Sequence, residues 1–414
     1  MKRRTFIDCA GRAACASALF NGISCSGSIP DSRHLVDTPE KRRNYLDTLL
    51  KSLVTDLGPR WVGTPAMAQA EQIVKKELEK ACPNVVLDPI TFEKWELTGE
   101  PEFSVGGTLL EMYPSHGTGG TPPEGITGIV KKSETRNVAY DIVDPSTGVI
   151  LGRVTITPKI KAAPRPYWFY DDEPGGMPNV NIGKHDIPAL DKAVNDRTPV
   201  RLRYQVIFTP GMTTSNVIGI LPGETTDEIV CYAHLDTVYN SPGANDNAAS
   251  LIMVIMLAHA FSGKKPRKTL KFIATTGEEY GYLGTKHLAE KRKGDGTLQD
   301  IKFIFDFDSV TWGPDMTLIT QDEELVSILR TIDEELSIPG TPQWRKSDGL
   351  GRETVPFKDA GLQARGIVVD SVPDNEINEL CWHRPDDIAK YARFEPVDIC
   401  FLLFRELIVR LQHM

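Results

Sequence analysis

From residue 214 onward the chain alternates short apolar runs with helical patterns: "DEIVCYAH", "NAASLIMVIMLAHAF", "KTLKFIATT", "GYLGTKHLAEKRK", "IKFIFDFDS" and "ARGIVVDS". Runs of that length, rich in β-branched and aromatic residues, are strands buried on both faces. Strands separated by helices imply crossover units, so the predicted architecture is α/β, a mixed and mainly parallel sheet layered between helices. In open sheets of this kind ligands bind beyond the carboxyl ends of the strands. Those ends therefore deserve the closest reading for chemistry.

The flanking segments differ. "DTPEKRRNYLDTLLKSLVTDLG" opens on Thr38 and Pro39 and spaces Leu46, Leu49, Leu50 and Leu53 at helical intervals. That pattern predicts an amphipathic helix with a hydroxyl cap and proline in its first turn. A second helix is predicted from Thr64–Pro65 through Ile73, Val74 and Leu78. Between about 98 and 211 the texture turns to Gly, Pro and Thr, with strand-like runs such as "LGRVTITPKI" and "VRLRYQVIF". Residues 98–211 are thus predicted to be a β-rich insert in a catalytic domain formed by 36–97 and 212–414.

Residues 1–30 read as an export signal, with a basic start, a weak apolar stretch and small residues after it. "RRTFI" is similar to a twin-arginine signal, placing the mature protein in the periplasm or outside the cell. Cys25 follows "GIS" as a candidate lipid-attachment site, although the usual leucine three positions earlier is absent. No uninterrupted apolar run of membrane-spanning length appears. A net charge of −9 argues against nucleic acid as a partner. Of the seven cysteines, Cys82, Cys231, Cys381 and Cys400 lie outside the leader, form no CxxC pair and are expected as buried thiols.

The strand ends carry His234 and Asp236 in "AHLDTV", Asp246 in "GANDNAAS", Glu278 and Glu279 in "TTGEEYG", and Asp306 and Asp308 in "DFDSV"; His383 follows in "CWHRPDD". Carboxylates gathered near a core with no Lys or Arg at the strand ends need another positive charge. Imidazole and carboxylate donors without thiolate suit zinc first, cobalt or manganese less well. Two histidines and at least three carboxylates exceed the needs of a single catalytic ion. Two ions about 3.5–4 Å apart, sharing a carboxylate and a water, fit better. One of the adjacent glutamates would then bind metal while the other works as general base.

These stretches, together with "NVIGILPGETTDEIV" and "TKHL", resemble the co-catalytic two-zinc exopeptidases, among them bacterial leucyl aminopeptidases and glutamate carboxypeptidases. The resemblance covers roughly residues 40–96 and 214–412. It implies the three-layer zinc-exopeptidase fold and a peptide substrate. It further implies that His234 binds one zinc, Asp246 bridges two, Glu279 and His383 bind one each, and Asp308 completes the set. Glu278 is the implied base, and Asp236 and Asp387 are the implied orienters of His234 and His383. "MPNVNIGKHDIPALDKAVNDRTPVRLRYQV" is similar to the end of a protease-associated domain.

The chain departs from the family at three places. Asn245 stands where many relatives have Asp. "DFDS" replaces Asn-x-Asp-Met and leaves Asp306 as a rival ligand to Asp308, because residues two apart share a strand face. "SDGLGRETVPF" is longer than the familiar Ser-Asp-x-x-Pro-Phe. The expected activity is that of an aminopeptidase hydrolysing a terminal bond with a water bridged by two zinc ions; the rivals are carboxypeptidase-like or glutaminyl-cyclase-like activity, or binding without catalysis.

Plainer readings suit the other candidates. His34, His116, His185, His259, His287 and His413 are expected to be ordinary residues, and Cys381 a buried thiol. The "PRPYWFYDDEP" aromatics are expected to pin a loop, and Gly117, Gly119 and Gly120 to form turns. No G-x-S-x-G stretch supports serine hydrolysis.

Overall fold

A computed structural model of the chain describes residues 30–157, 162–167, 175–311, 316–337, 343–345, 351–371 and 375–414. The export signal, Cys25 and the aromatics Trp168, Phe169 and Tyr170 lie outside the described residues.

Both predicted N-terminal helices form where their caps place them. Helix Pro39–Leu50 starts with the Thr38 side chain accepting the Lys41 N–H, and helix Pro65–Glu79 with Thr64 accepting that of Met67. Proline follows each cap, where its missing N–H leaves nothing unsatisfied.

The catalytic half is built on strands in the spatial order Gln343–Arg345, Met316–Ile319, Arg365–Ser371, Ile301–Phe307, Thr225–His234, Lys268–Thr275, Pro199–Leu221 and Asn84–Val105. The middle four run parallel. The strands joining them on either side are antiparallel, which makes the sheet mixed. Alternation assigns the faces: Ile229, Cys231 and Ala233 join Phe303, Phe305 and Phe307 in one core, while Val230, Tyr232, Ile273 and Ile304 enter another. The first core is closed by Pro39–Leu50, Pro65–Glu79, Ala249–Phe261, Glu323–Leu336 and Phe394–Leu411, the second by Leu283–Gly294 and Phe357. The result is three layers.

Helix Ala249–Phe261 is apolar on all sides because every face is covered by sheet or by a neighbouring helix. The stretch Ala244–Phe261 is long and apolar enough to cross a membrane, yet 94% of it is buried inside the fold. Cys82, Cys231, Cys381 and Cys400 are free and buried, as expected.

The β-rich region has its own core, including Phe103, Tyr140, Ile142, Val154, Val180, Leu190 and Leu202. No linker separates it from the catalytic half. Strands Asn84–Val105 and Pro199–Leu221 pair antiparallel from Asn84 opposite Ile220 to Val105 opposite Val200, running through both cores. Positions 98 and 211 therefore fall inside strands, and the lobe is an outgrowth of one sheet of fourteen strands among the described residues.

Candidate metal centre and active site

His234 is the last residue of its strand, and Glu278–Glu279 and Asp308 lie just past the ends of Lys268–Thr275 and Ile301–Phe307. Asp246 occupies the turn leading into Ala249–Phe261 and is joined to Asn247 by a cis peptide, and His383 follows helix Asn375–Cys381. Parallel strands end on one rim, so groups far apart in sequence converge. His234 Nε2 lies 3.2 Å from Asp246 Oδ1 and 3.8 Å from Asp308 Oδ1. His383 Nε2 lies 3.5 Å from Asp246 Oδ2 and 3.2 Å from Glu279 Oε1. These residues thus form two trios that could each hold a metal ion, His234–Asp246–Asp308 and Asp246–Glu279–His383, each with donor atoms within 4.8 Å of one another. Asp246 belongs to both.

Asp306 belongs to neither. Inside the strand its side chain enters the layer of Ile304, near Glu353 and Tyr232, and burial raises its carboxyl to about 8. Asp308 has left the strand after Phe307, so alternation no longer ties it to the face of Asp306.

The surrounding hydrogen bonds fix these groups, though not all as expected. Asp236 does sit by His234, but its backbone oxygen, 3.0 Å from Nδ1, is what the imidazole meets. Its carboxylate accepts the N–H groups of Glu278 and Glu279 at 3.1 Å each, placing the glutamate pair. Asp387 does not hold His383. It accepts the Asn245 N–H, the Asn245 Nδ2 and the Asp246 N–H at 2.9, 2.7 and 3.0 Å. His383, at φ +56°, turns its ring away toward the 162–167 segment and meets the Pro166 carbonyl through Nδ1 at 2.9 Å. Carbonyls only accept, so Nδ1 of each histidine carries a proton, and Nε2 is the nitrogen whose proton a metal would displace.

The electrostatics show what the donor set lacks. Burial opposes charge on His383, yet Glu279 and Asp246 raise it to about 10. His234 is likewise raised, by Asp246 and Asp308 against burial. Asp246, despite its burial, is held far below the carboxylate range by the two imidazoles. Glu278 is raised well above its usual range by burial and by Glu279, Asp308 and Glu353. In this state protons supply the positive charge that the acids require. Cations in the two trios would replace them, and imidazole and carboxylate donors with vacant positions fit zinc in a reactive centre.

Two arginines contribute where the strand ends suggested no cation. Arg352, in the unusually long "SDGLGRETVPF" stretch, pairs with Asp308 and Asp370. Arg60 is fully buried beneath the rim; burial lowers it to about 10, with Asp236, Asp387 and Asp246 opposing that fall. His116 is also buried here, its ring centroid 5.2 Å from that of Trp61. Burial and the nearby His383 push it down to about 3, and it lies outside both trios. His259 is an ordinary structural histidine, bonded to Ser32 and Tyr45. Arg352 falls in a departure visible in the sequence and Pro166 in the proline-flanked "PRPYWFYDDEP" stretch, though nothing local links that stretch to His383; Arg60 sits in a stretch with no signature.

Residues 216–408 match the family model described as Peptidase family M28. That match spans most of the catalytic half. The chain is a metallo-exopeptidase. It is similar to Aminopeptidase YwaD of Bacillus subtilis (strain 168), 23% identical over 389 residues, with 87% of this chain and 82% of that protein covered. It is also similar to Carboxypeptidase Q of Rattus norvegicus, 23% identical over 334 residues, 70% of each chain. Its fold matches the solved structure of a Peptidase M28 precursor from Shewanella amazonensis SB2B, with TM-score 0.72 and 15% identity over 92% of this chain and 97% of that one.

Proposed function

We propose that this protein is an exported aminopeptidase that hydrolyses the N-terminal peptide bond of peptides at a two-zinc centre. The observation that carries this reading is the sharing of Asp246, whose two oxygens face different imidazoles. In this reading His234 and Asp308 hold one zinc, Glu279 and His383 hold the other, and Asp246 bridges them. Two such cations supply the charge that polarises a peptide carbonyl and acidifies water. Glu278 belongs to neither trio, and its backbone is anchored on Asp236. Its carboxylate takes the proton from the attacking water and passes it to the leaving amine. Asp236 serves by fixing the two glutamates and the His234 ring. Export is supported by the "RRTFI" leader, and the β-rich lobe is read as protease-associated-like on its closing stretch, 177–206.

A carboxypeptidase-like reading is favoured by Arg352, a guanidinium beside Asp308 with 29% of its side chain exposed, since arginine suits recognition of a terminal carboxylate. Peptides blocked at one end separate the two. Zinc-loaded protein is expected to trim C-amidated peptides from the N-terminus and to spare N-acetylated ones. The opposite preference establishes the second reading, and a zinc-loaded protein inert toward both sinks each of them.

A further inference from the structure

The two trios are braced from different parts of the molecule. His234 is held from within its own strand end, by the Asp236 carbonyl. His383 is held from the other lobe. Its Nδ1 meets the Pro166 carbonyl, and its ring stacks on Tyr167 with centroids 5.8 Å apart and planes at 28°. Pro166 and Tyr167 belong to the stretch between strands Ile150–Ile156 and Asn179–Ile182, both in the β-rich lobe.

That stretch is fastened by Arg165, the residue before Pro166, whose side chain is fully buried. Its Nη2 donates to the Glu379 carbonyl at 3.1 Å and to Glu379 Oε1 at 3.2 Å, and its Nη1 to the Asn378 carbonyl at 3.4 Å. The guanidinium also lies over the Trp382 ring, 5.3 Å from its centroid. Asn378 and Glu379 lie in the last turn of the short helix Asn375–Cys381, and the Asn378 carbonyl also accepts the Trp382 N–H at 3.2 Å. Two further contacts tie the same surfaces: the Ala163 N–H donates to Glu379 Oε1 at 3.1 Å, and Arg384 Nη1 to the Pro164 carbonyl at 2.7 Å. A planar, multiply donating group suits this position because it bonds two carbonyls and a carboxylate while stacking on an indole. Lysine, a single flexible point charge, cannot do all of that.

We propose that Arg165 is a positioning residue through which the β-rich lobe sets the orientation of His383, so that metal in the Asp246–Glu279–His383 trio is held under control of that lobe while metal in the His234–Asp246–Asp308 trio is not. The inference rests on the two-zinc reading above. Loss of a group that orients a metal-binding histidine typically lowers metal affinity about 10–100-fold. Here that loss falls on one equivalent of two.

Calorimetric titration of the metal-free full-length protein with zinc tests it, with His383→Ala marking which equivalent belongs to this trio. Wild-type protein is expected to bind two equivalents. Arg165→Ala is expected to bind the marked equivalent about 10–100-fold more weakly and the other unchanged, and Arg165→Lys to fall between. Wild-type protein that binds fewer than two equivalents overturns the underlying reading. Two equivalents in wild type with both affinities unchanged in Arg165→Ala overturns the positioning role and leaves that reading standing. Equal weakening of both equivalents in Arg165→Ala and Arg165→Lys also overturns it, because the arginine would then support the fold as a whole.

Discussion

Asp387 holds Asp246 by its backbone: Oδ2 of Asp387 accepts the Asp246 N–H at 3.0 Å. Its other oxygen accepts both the backbone and side-chain N–H of Asn245. A shared ligand must present each oxygen to a different ion, which a free turn would not guarantee. Replacing Asp387 with Ala is expected to lower zinc affinity about 10–100-fold. Asn245→Ala, which spares the Asp246 contact, is expected to do less. Zinc retained on dialysis against a graded chelator measures both, and wild-type retention by Asp387→Ala would refute the bracing role.

Glu278 and Glu279 are neighbours with different surroundings. Glu279 Oε1 lies 3.2 Å from His383 Nε2, whereas Glu278 is in neither trio. Glu278→Gln keeps the shape and removes the proton acceptor, so turnover is expected to fall by about 10²–10⁴ with both zinc ions retained. Glu279→Gln is expected to lose metal first. Parallel assays of peptide hydrolysis and bound zinc decide the matter: near-normal turnover in Glu278→Gln rules out its role as base.

The contrast between Asp246 and Asp387 also shows how far sequence reading reaches. Thr38–Pro39 and Thr64–Pro65 announce their helices because capping is local. Of the five residues in the two trios, His234, Glu279 and Asp308 are legible because strand ends are visible as interruptions of apolar runs, and parallel strands bring those ends together. The acceptor for each N–H depends instead on the shape of a turn. With His383 at φ +56°, Asp387 faces Asn245 and the ring faces Pro166. Pro166 is 217 residues from His383, and no local pattern encodes that pairing. The lobe boundary was obscured for another reason. Composition changes at 98 and 211, but both positions lie within long strands, at register shifts beyond which the same two strands go on pairing.

The acid-rich rim gives the metal-free protein a distinctive pH dependence. Burial raises Asp306 to about 8 and Asp387 to about 7; Glu279 and Asp246 raise His383 to about 10. In each case the folded chain keeps a proton that the unfolded chain releases at about 4 for carboxyls or 6.5 for histidine. The stability these groups contribute is complete below those values and is lost as pH rises through 7 to 10. Asp246 has the opposite sign, being depressed, but its contribution fades only in strong acid. Metal-free protein is therefore expected to melt lower at pH 9 than at pH 6, by on the order of a few °C. Zinc competes with those protons, so the gain in melting temperature on adding zinc is expected to widen over the same interval. Calorimetric melts at both pH values, with and without zinc, check this; a metal-free protein more stable at pH 9 contradicts it.

Arg60 joins the first helical segment to the rim. Its Nε donates to the Leu235 carbonyl at 2.9 Å, its Nη1 to those of Leu53, Gly58 and Pro242 at 3.0, 3.2 and 2.6 Å, and its Nη2 to that of Gly243 at 3.2 Å. These acceptors lie on two chain segments, which the Thr237 N–H also joins by donating to the Arg60 carbonyl at 3.4 Å. Methionine replaces only the aliphatic stem of the side chain and donates nothing, leaving several buried carbonyls bare at about 1–3 kcal/mol for a buried group that loses its partner. Arg60→Met is expected to destabilise the protein by about 3 kcal/mol or more, read from urea unfolding. Arg60→Lys keeps the positive charge near Asp236, Asp246 and Asp387 but cannot reach both segments. It is expected to recover only part of the lost stability in the same urea measurement. If Arg60→Met unfolded at the wild-type urea concentration, the carbonyls would have to find other donors, and Arg60 would matter for its charge alone.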